Sequence, residues 1–110
     1  MPYVTLKRLG NSYRLIVPAN LASTLGLTDK TVVKVTADDR GVVLESPDPS
    51  DLSDLRNLRS LFVVGKCNNT VTLGFTVPKE HVKKEWVNRK FTVEAELVEQ
   101  PYFRIRYIPA

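Results

Sequence analysis

Lys7, Arg8 and Arg14 fall within eight positions with no acid among them, and the first carboxylate along the chain is Asp29. These three cations surround Gly10, Asn11 and Ser12, residues that form turns, so the sequence sets a local positive edge on a bend of the chain. Such an edge can face phosphate; a solvated hairpin carries the same composition. Groups for covalent or metal chemistry are sparse. His81 and Cys67 are the single histidine and single cysteine, which removes every His/Cys zinc spacing, HExxH and CxxC. Cys67 and His81 could pair as nucleophile and base on paper, but they sit in segments that read as a loop and a helix with no orienting signature. Neither GxGxxG nor GxxxxGK[ST] occurs. The expectation is a protein that works by binding, with no catalytic residue, no metal and no cofactor.

The elements that must hold the basic turn can be read on either side of it. Val4 and Leu6 alternate with polar neighbours, the period-2 mark of a half-buried strand, and Tyr13–Val17 is a second run rich in β-formers. Pro18 suits the first turn of a helix, Leu21 and Leu25 give it one apolar stripe, and Gly26 ends it. Thr31–Ala37 alternates with Val33 and Val35 on one face, residues 38–41 make a turn, and Val42–Leu44 return. That order makes a β-rich unit over residues 1–46, marginal as a free monomer. Residues 47–60 carry prolines, Asp48, Asp51 and Asp54, and leucines at 52, 55 and 58 that continue the three-residue spacing to Leu61. They read as a linker with one short amphipathic helix that Ser50 or Ser53 would cap.

Residues 61–110 repeat the plan: an apolar strand, a turn cluster at Gly65–Asn69, a strand to Val77, and Pro78 opening a short helix with Val82 and Trp86 on one side. A strand follows with Val93, Ala95 and Leu97 on one face, then a turn at 99–101 and a closing strand whose Phe103 and Ile105 share a face. Val17-Pro18 and Val77-Pro78 match at a period of 60, as do Thr31–Ala37 and Phe91–Leu97. The repeat is one of pattern more than identity, and a convergent β-α-β-β arrangement would read the same way.

The totals bound the rest. A chain of 110 residues with net charge +4 and 43% hydrophobic residues is one compact domain or two small units sharing a core. The charge divides as +2 over residues 1–46, −1 over 47–60 and +3 over 61–110. One cysteine supports no internal disulfide, so a reducing compartment, the cytoplasm, is expected. No apolar run approaches the ~20 residues of a membrane span, and MPYVTLKRLG lacks a secretion stretch, so no membrane partner is expected.

The segment Leu6-Lys7-Arg8-Leu9-Gly10-Asn11-Ser12-Tyr13-Arg14-Leu15-Ile16-Val17-Pro18 resembles the start of the MazE/AbrB/SpoVT family of swapped-hairpin DNA-binding domains. That family's pattern is a basic pair, Gly-Asn-Ser, a basic or small residue, an aliphatic run and a Pro-opened helix. The resemblance covers residues 3–46 and is looser over 61–110, where the turn is longer and the basic pair is missing. It implies a mostly β protein with short helices, a swapped-hairpin AbrB-like β-barrel built from two tandem pseudo-repeated units. It also implies that hairpins interleave, either within the chain or between chains of a homodimer or higher homo-oligomer.

In the family, double-stranded DNA is gripped by the strand–turn–strand region before the helix, which here maps to Lys7, Arg8, Asn11, Ser12 and Arg14. Lys7 would neutralise phosphate, while Arg8 and Arg14 could also fork onto a guanine edge. Tyr13 could lay its ring on sugar or base, or pack within the strand. In the second unit Lys66, Asn68 and Asn69 hold the corresponding turn, whereas Lys79, Lys83, Lys84, Arg89 and Lys90 fall away from the family's DNA face. The resemblance implies a transcriptional regulator or, alternatively, an antitoxin that binds its own operator as well as a toxin partner. MazE-type antitoxins carry an acidic disordered tail after the DNA-binding unit. This chain instead continues into a basic β-rich segment, which favours a free-standing regulator.

Overall fold

Leu6 and Leu61 are where the alternation of the strands meets the architecture. In the computed structural model, which describes residues 3–50, 55–67 and 69–110, each of these leucines is buried between two short strands that belong to different sheets. The elements are β1 (Tyr3–Thr5), β2 (Lys7–Leu9), β3 (Ser12–Val17), α1 (Ala19–Leu25), β4 (Val32–Asp38), β5 (Gly41–Glu45), β6 (Leu58–Ser60), β7 (Phe62–Cys67), β8 (Thr70–Val77), β9 (Lys90–Glu99) and β10 (Tyr102–Pro109). One sheet has the order β1-β9-β10-β5-β4-β6 and the other β2-β3-β8-β7. Every described pairing is antiparallel.

Both sheets read the same from either end once the halves of the chain are exchanged. β1 and β6 are the edges of the larger sheet, β9 and β4 come next, and β10 and β5 meet in the middle. In the smaller sheet β2 and β7 are edges, and β3 and β8 are central. Hydrogen bonds repeat the relation: the Leu6 N–H donates to the Arg89 carbonyl at 3.2 Å and the Leu61 N–H donates to the Thr31 carbonyl at 2.9 Å. The sequence units 1–46 and 61–110 therefore do not sit side by side. They exchange strands in both sheets, so the interleaving that family members are expected to make is made within one chain.

The core lies between the two curled sheets and draws on both halves. Leu6, Leu15, Val17, Val33, Val35, Val42 and Leu44 meet Leu61, Leu73, Phe75, Phe91, Ile105 and Tyr107, all buried. Each such side chain is worth roughly 1.5–3 kcal/mol on leaving water, and neither half could collect this burial alone. Tyr107 stands at the centre. Its ring meets Phe75 edge-on at 5.4 Å, and its hydroxyl donates to the Ile16 carbonyl at 2.9 Å, tying β10 to β3. Burial pushes the Tyr107 phenol far above its ordinary value. α1 ends at Gly26, and the Gln100 side-chain amide donates to the Thr24 carbonyl at 3.0 Å, pinning the last turn of the helix to the β9–β10 turn.

Several expectations change. Leu58 lies in strand β6, and Leu55–Asn57 form a 3-10 turn, so the three-residue leucine spacing marks a return into the sheet and not a helix over 55–61. Leu52, Ser53, Asp51 and Asp54 lie outside the described residues. The expected helix after Pro78 is two 3-10 turns, Lys79–His81 and Lys84–Trp86, because Val82 and Lys83 are extended between them. Trp86 still buries, edge-on to Phe91 at 5.9 Å. Val93 and Ala95 do share a face, but the β9–β10 register shifts between Arg104 and Ile105. Leu97 consequently pairs with Arg104 on the outer face, while Val98 stands opposite Phe103.

Candidate nucleic-acid interface

The β2–β3 hairpin is tight because its turn is two residues long. Leu9 stands opposite Ser12, leaving Gly10 and Asn11 as the loop, and Gly10 has φ +61. A positive φ at the first loop position is what a two-residue hairpin turn led by glycine requires, and it matches the right-handed twist of the flanking strands. The register then places Arg8 opposite Tyr13 and Lys7 opposite Arg14.

Alternation along β3 decides which way each group faces. Leu15 and Val17 are buried and Tyr13 packs against the same core, so Ser12 and Arg14 are on the outer face, and Lys7 joins them there. The packed position of Tyr13 favours the strand-aromatic reading of its ring over contact with a base. Like charges directly opposite on one face of a sheet repel. Lys7 and Arg14 nevertheless have no acidic partner among the described residues. Arg14 is half-buried, and its stem passes near Gly74 of β8, beside the Val64 side chain that covers that glycine. Arg8 occupies the opposite face of the hairpin beyond the core, exposed, with Nε donating to the Gly10 carbonyl at 2.9 Å. Asn11 and Ser12 are exposed at the tip, and their side chains find no partner among the described residues.

Several cations elsewhere are paired. Arg104 pairs with Glu45 at 3.1 Å, and Arg106 bridges Asp38 at 2.8 Å and Glu96 at 3.2 Å. The Arg106 guanidinium holds the Asp38 carboxyl below its usual range, and Asp38 in turn raises Arg106. Lys83 lies 3.7 Å from Asp39 and 5.3 Å from the centre of the Trp86 ring, while Arg89 donates twice to the Ala110 carbonyl. His81 is bonded to Asn57 through Nε2 at 2.9 Å. The first hairpin gathers three cations with no acidic partner among the described residues at one end of the four-stranded sheet, and its projecting β-turn has a shape that the major groove of a duplex admits.

Two residues that sequence reasoning did not group with the hairpin lie next to it along the chain of pairings. Thr76 pairs with Arg14 on its other side, so a polar strip Lys7–Arg14–Thr76 crosses three strands. Lys79 is exposed in the 3-10 turn Lys79–His81, two residues past Val77, the partner of Tyr13. Both depend on the β3–β8 pairing, for which the local sequence carries no signal.

The second hairpin turns at the opposite end of the same sheet, because β3 and β8 are antiparallel. Cys67 stands opposite Thr70, Asn69 has φ +68, and Lys66 is exposed opposite Val71. Asn68 lies outside the described residues. No group of His, Cys, Asp and Glu that could hold a metal occurs among the described residues, and no helix there is long and apolar enough to cross a membrane.

Comparison with known proteins agrees with the hairpin and the elements that follow it. Residues 6–51 match the model of the family described as "Antidote-toxin recognition MazE, bacterial antitoxin". Neither the curated proteins nor the solved structures yielded a match. The matched stretch begins at the buried leucine that switches sheets, contains the basic hairpin, α1 and the β4–β5 pair, and ends in the connector. Over residues 6–51 the chain is thus similar to the MazE family, and that stretch is set in a mostly β, half-barrel framework.

Proposed function

We propose that this protein binds double-stranded DNA through the β2–β3 hairpin and regulates transcription in the cytoplasm, acting by binding and not by catalysis. The observation that carries the reading is the Lys7–Arg14 pair: two cations opposed on one outward face with no acidic partner among the described residues. A phosphate backbone relieves that repulsion and releases its own counterions in doing so. Arg8, Asn11 and Ser12 bring donors to the tip, and Arg14 on the outward face would reach for a base edge. The match of residues 6–51 to a bacterial antitoxin family, the one whose DNA-gripping hairpin this segment resembles, supports the same reading.

Fluorescence anisotropy of a labelled duplex, titrated with the full chain at low salt, tests it. Binding that weakens at least tenfold in a Lys7→Ala/Arg14→Gln variant with unchanged melting temperature supports the hairpin as the contact. Equal affinity in the two proteins refutes it.

The description of the matched family favours a second reading, an antitoxin that also binds its own operator. Under that reading a toxin partner would co-purify when the neighbouring reading frame is co-expressed. Strands β7–β10 occupy the part of the chain where such antitoxins carry an acidic disordered tail, which is why the regulator stands first.

A further inference from the structure

The pseudo-two-fold relation allows each basic residue of the first hairpin to be compared with its counterpart in the second. Leu61 follows Leu6 by 55 positions and performs the same sheet switch, so Lys7 and Arg8 correspond to Phe62 and Val63. Val77-Pro78 follows Val17-Pro18 by 60 positions, so Tyr13 and Arg14 correspond to Leu73 and Gly74. The register confirms these equivalences independently: Lys7 pairs with Arg14 as Phe62 pairs with Gly74, and Arg8 pairs with Tyr13 as Val63 pairs with Leu73. The position of every cation on the first hairpin is thus apolar or a glycine on the second. Val63 is 48% exposed, and beside the second hairpin lies a groove of about 510 Å³ that brings Val63, Val71 and Leu27 together with Thr28 and Asp29 and includes no cation. Lys66, the one cation on β7, lies in the extra five residues by which the second hairpin exceeds the first.

We propose that a single chain is the complete DNA-binding unit and that it is one-sided: it engages one segment of duplex through the first hairpin and reads an asymmetric site, not a palindrome. This rests on the DNA-binding reading above. Two-fold symmetric proteins present the same contact surface twice, and their operators are pseudo-palindromic in consequence. Here the interlocked core is closed within one chain, both sheets are composed of its own strands, and the axis that would generate a second contact surface generates Phe62, Val63 and Gly74 instead. Three hairpin cations should release about three counterions, which sets a slope of about −3 for log affinity against log salt.

The test is selection of the full chain on a library of random duplexes, followed by native mass spectrometry and a salt titration on the enriched sequence, with Lys7→Ala/Arg14→Gln alongside. The expected result is a non-palindromic motif within one helical turn, a complex of one chain per duplex, a slope of about −3, and loss of binding in the variant. A palindromic motif carrying two chains, with a slope of about −5 or steeper and loss of binding in the variant, overturns the one-sided assembly and leaves the hairpin reading intact. Enriched duplexes bound equally well by the variant, or no enrichment at low salt, overturn the hairpin reading and this inference with it.

Discussion

The Tyr107 hydroxyl donates to the Ile16 carbonyl across 2.9 Å, bonding a strand near the C-terminus to the strand that carries Arg14. The phenol is fully buried, and its bond joins the two sheets at the point where the halves of the chain interlock. The basic hairpin is therefore stiffened by residues more than ninety positions away from it.

Tyr107→Phe removes this bond and leaves the ring on Phe75. The expected loss is about 1 kcal/mol in chemical denaturation, the net worth of a neutral hydrogen bond, with DNA affinity unchanged within twofold. Tyr107→Ala also opens a cavity and should cost about 3–5 kcal/mol.

Arg14→Gln and Arg14→Ala should separate charge from packing. Glutamine keeps part of the stem that lies near Gly74, so its stability should stay within about 0.5 kcal/mol of wild type while DNA binding weakens. Alanine should lose the same binding and somewhat more stability, read as a lower melting temperature. Arg8→Ala should also loosen the turn, since its Nε bond to the Gly10 carbonyl disappears.

Gly10 and Gly41 both have positive φ, +61 and +143, but their surroundings differ. A Cβ at Gly10 meets nothing within 4 Å, whereas one at Gly41 would run into the Tyr107 carbonyl. Gly10→Ala should therefore cost only the backbone penalty, about 1–2 kcal/mol, together with part of the DNA affinity as the tip shifts. Gly41→Ala should be the more damaging change, by about 2 kcal/mol or more beyond that. Thermal melts of the two variants compare them directly.

The Asp38–Arg106 pair sets an acid limb. The folded-state pKa of Asp38 lies below its ordinary 3.8 because Arg106 bonds the carboxylate. Its contribution is present above that ordinary value and is lost as pH falls through the lower folded-state value. The carboxylate is about half exposed, so solvent screens the pair and the effect is small. Melting temperature should fall more steeply below pH 4 in wild type than in Asp38→Asn, and Asp38→Asn should melt lower at neutral pH.

What the sequence made legible was local. Gly10-Asn11-Ser12 announces the first hairpin through turn chemistry, and Val17-Pro18 with Gly26 brackets α1, because each signal lies within a few residues of what it controls. Lys7, Arg8, Asn11, Ser12 and Arg14 could be named as the candidate tip for the same reason. The β3–β8 pairing that adds Thr76 and Lys79 joins residues some sixty positions apart and leaves no trace in periodicity.

A single period of 60 does not align the repeat throughout. Pairing in the larger sheet sets Tyr3 against Thr92 and Leu58 against Lys34, so β9 follows β4 at 58, while the sheet-switching leucines are 55 apart. A longer second hairpin and a shorter segment after Pro78 account for the changing offset. Val82 and Trp86 stand at helical spacing, yet burying Trp86 against Phe91 needs only a 3-10 turn after an extended Lys83. Tertiary packing decided that segment over its periodicity.

The central claim is that the outward face of the first hairpin holds duplex DNA. Its most direct measurement is the salt dependence of affinity for wild type and for Lys7→Ala/Arg14→Gln on one labelled duplex. The account predicts that removing these two cations flattens the slope by about two units of log affinity per log salt while the circular dichroism spectrum and melting temperature are retained. An unchanged slope in a folded variant would contradict it.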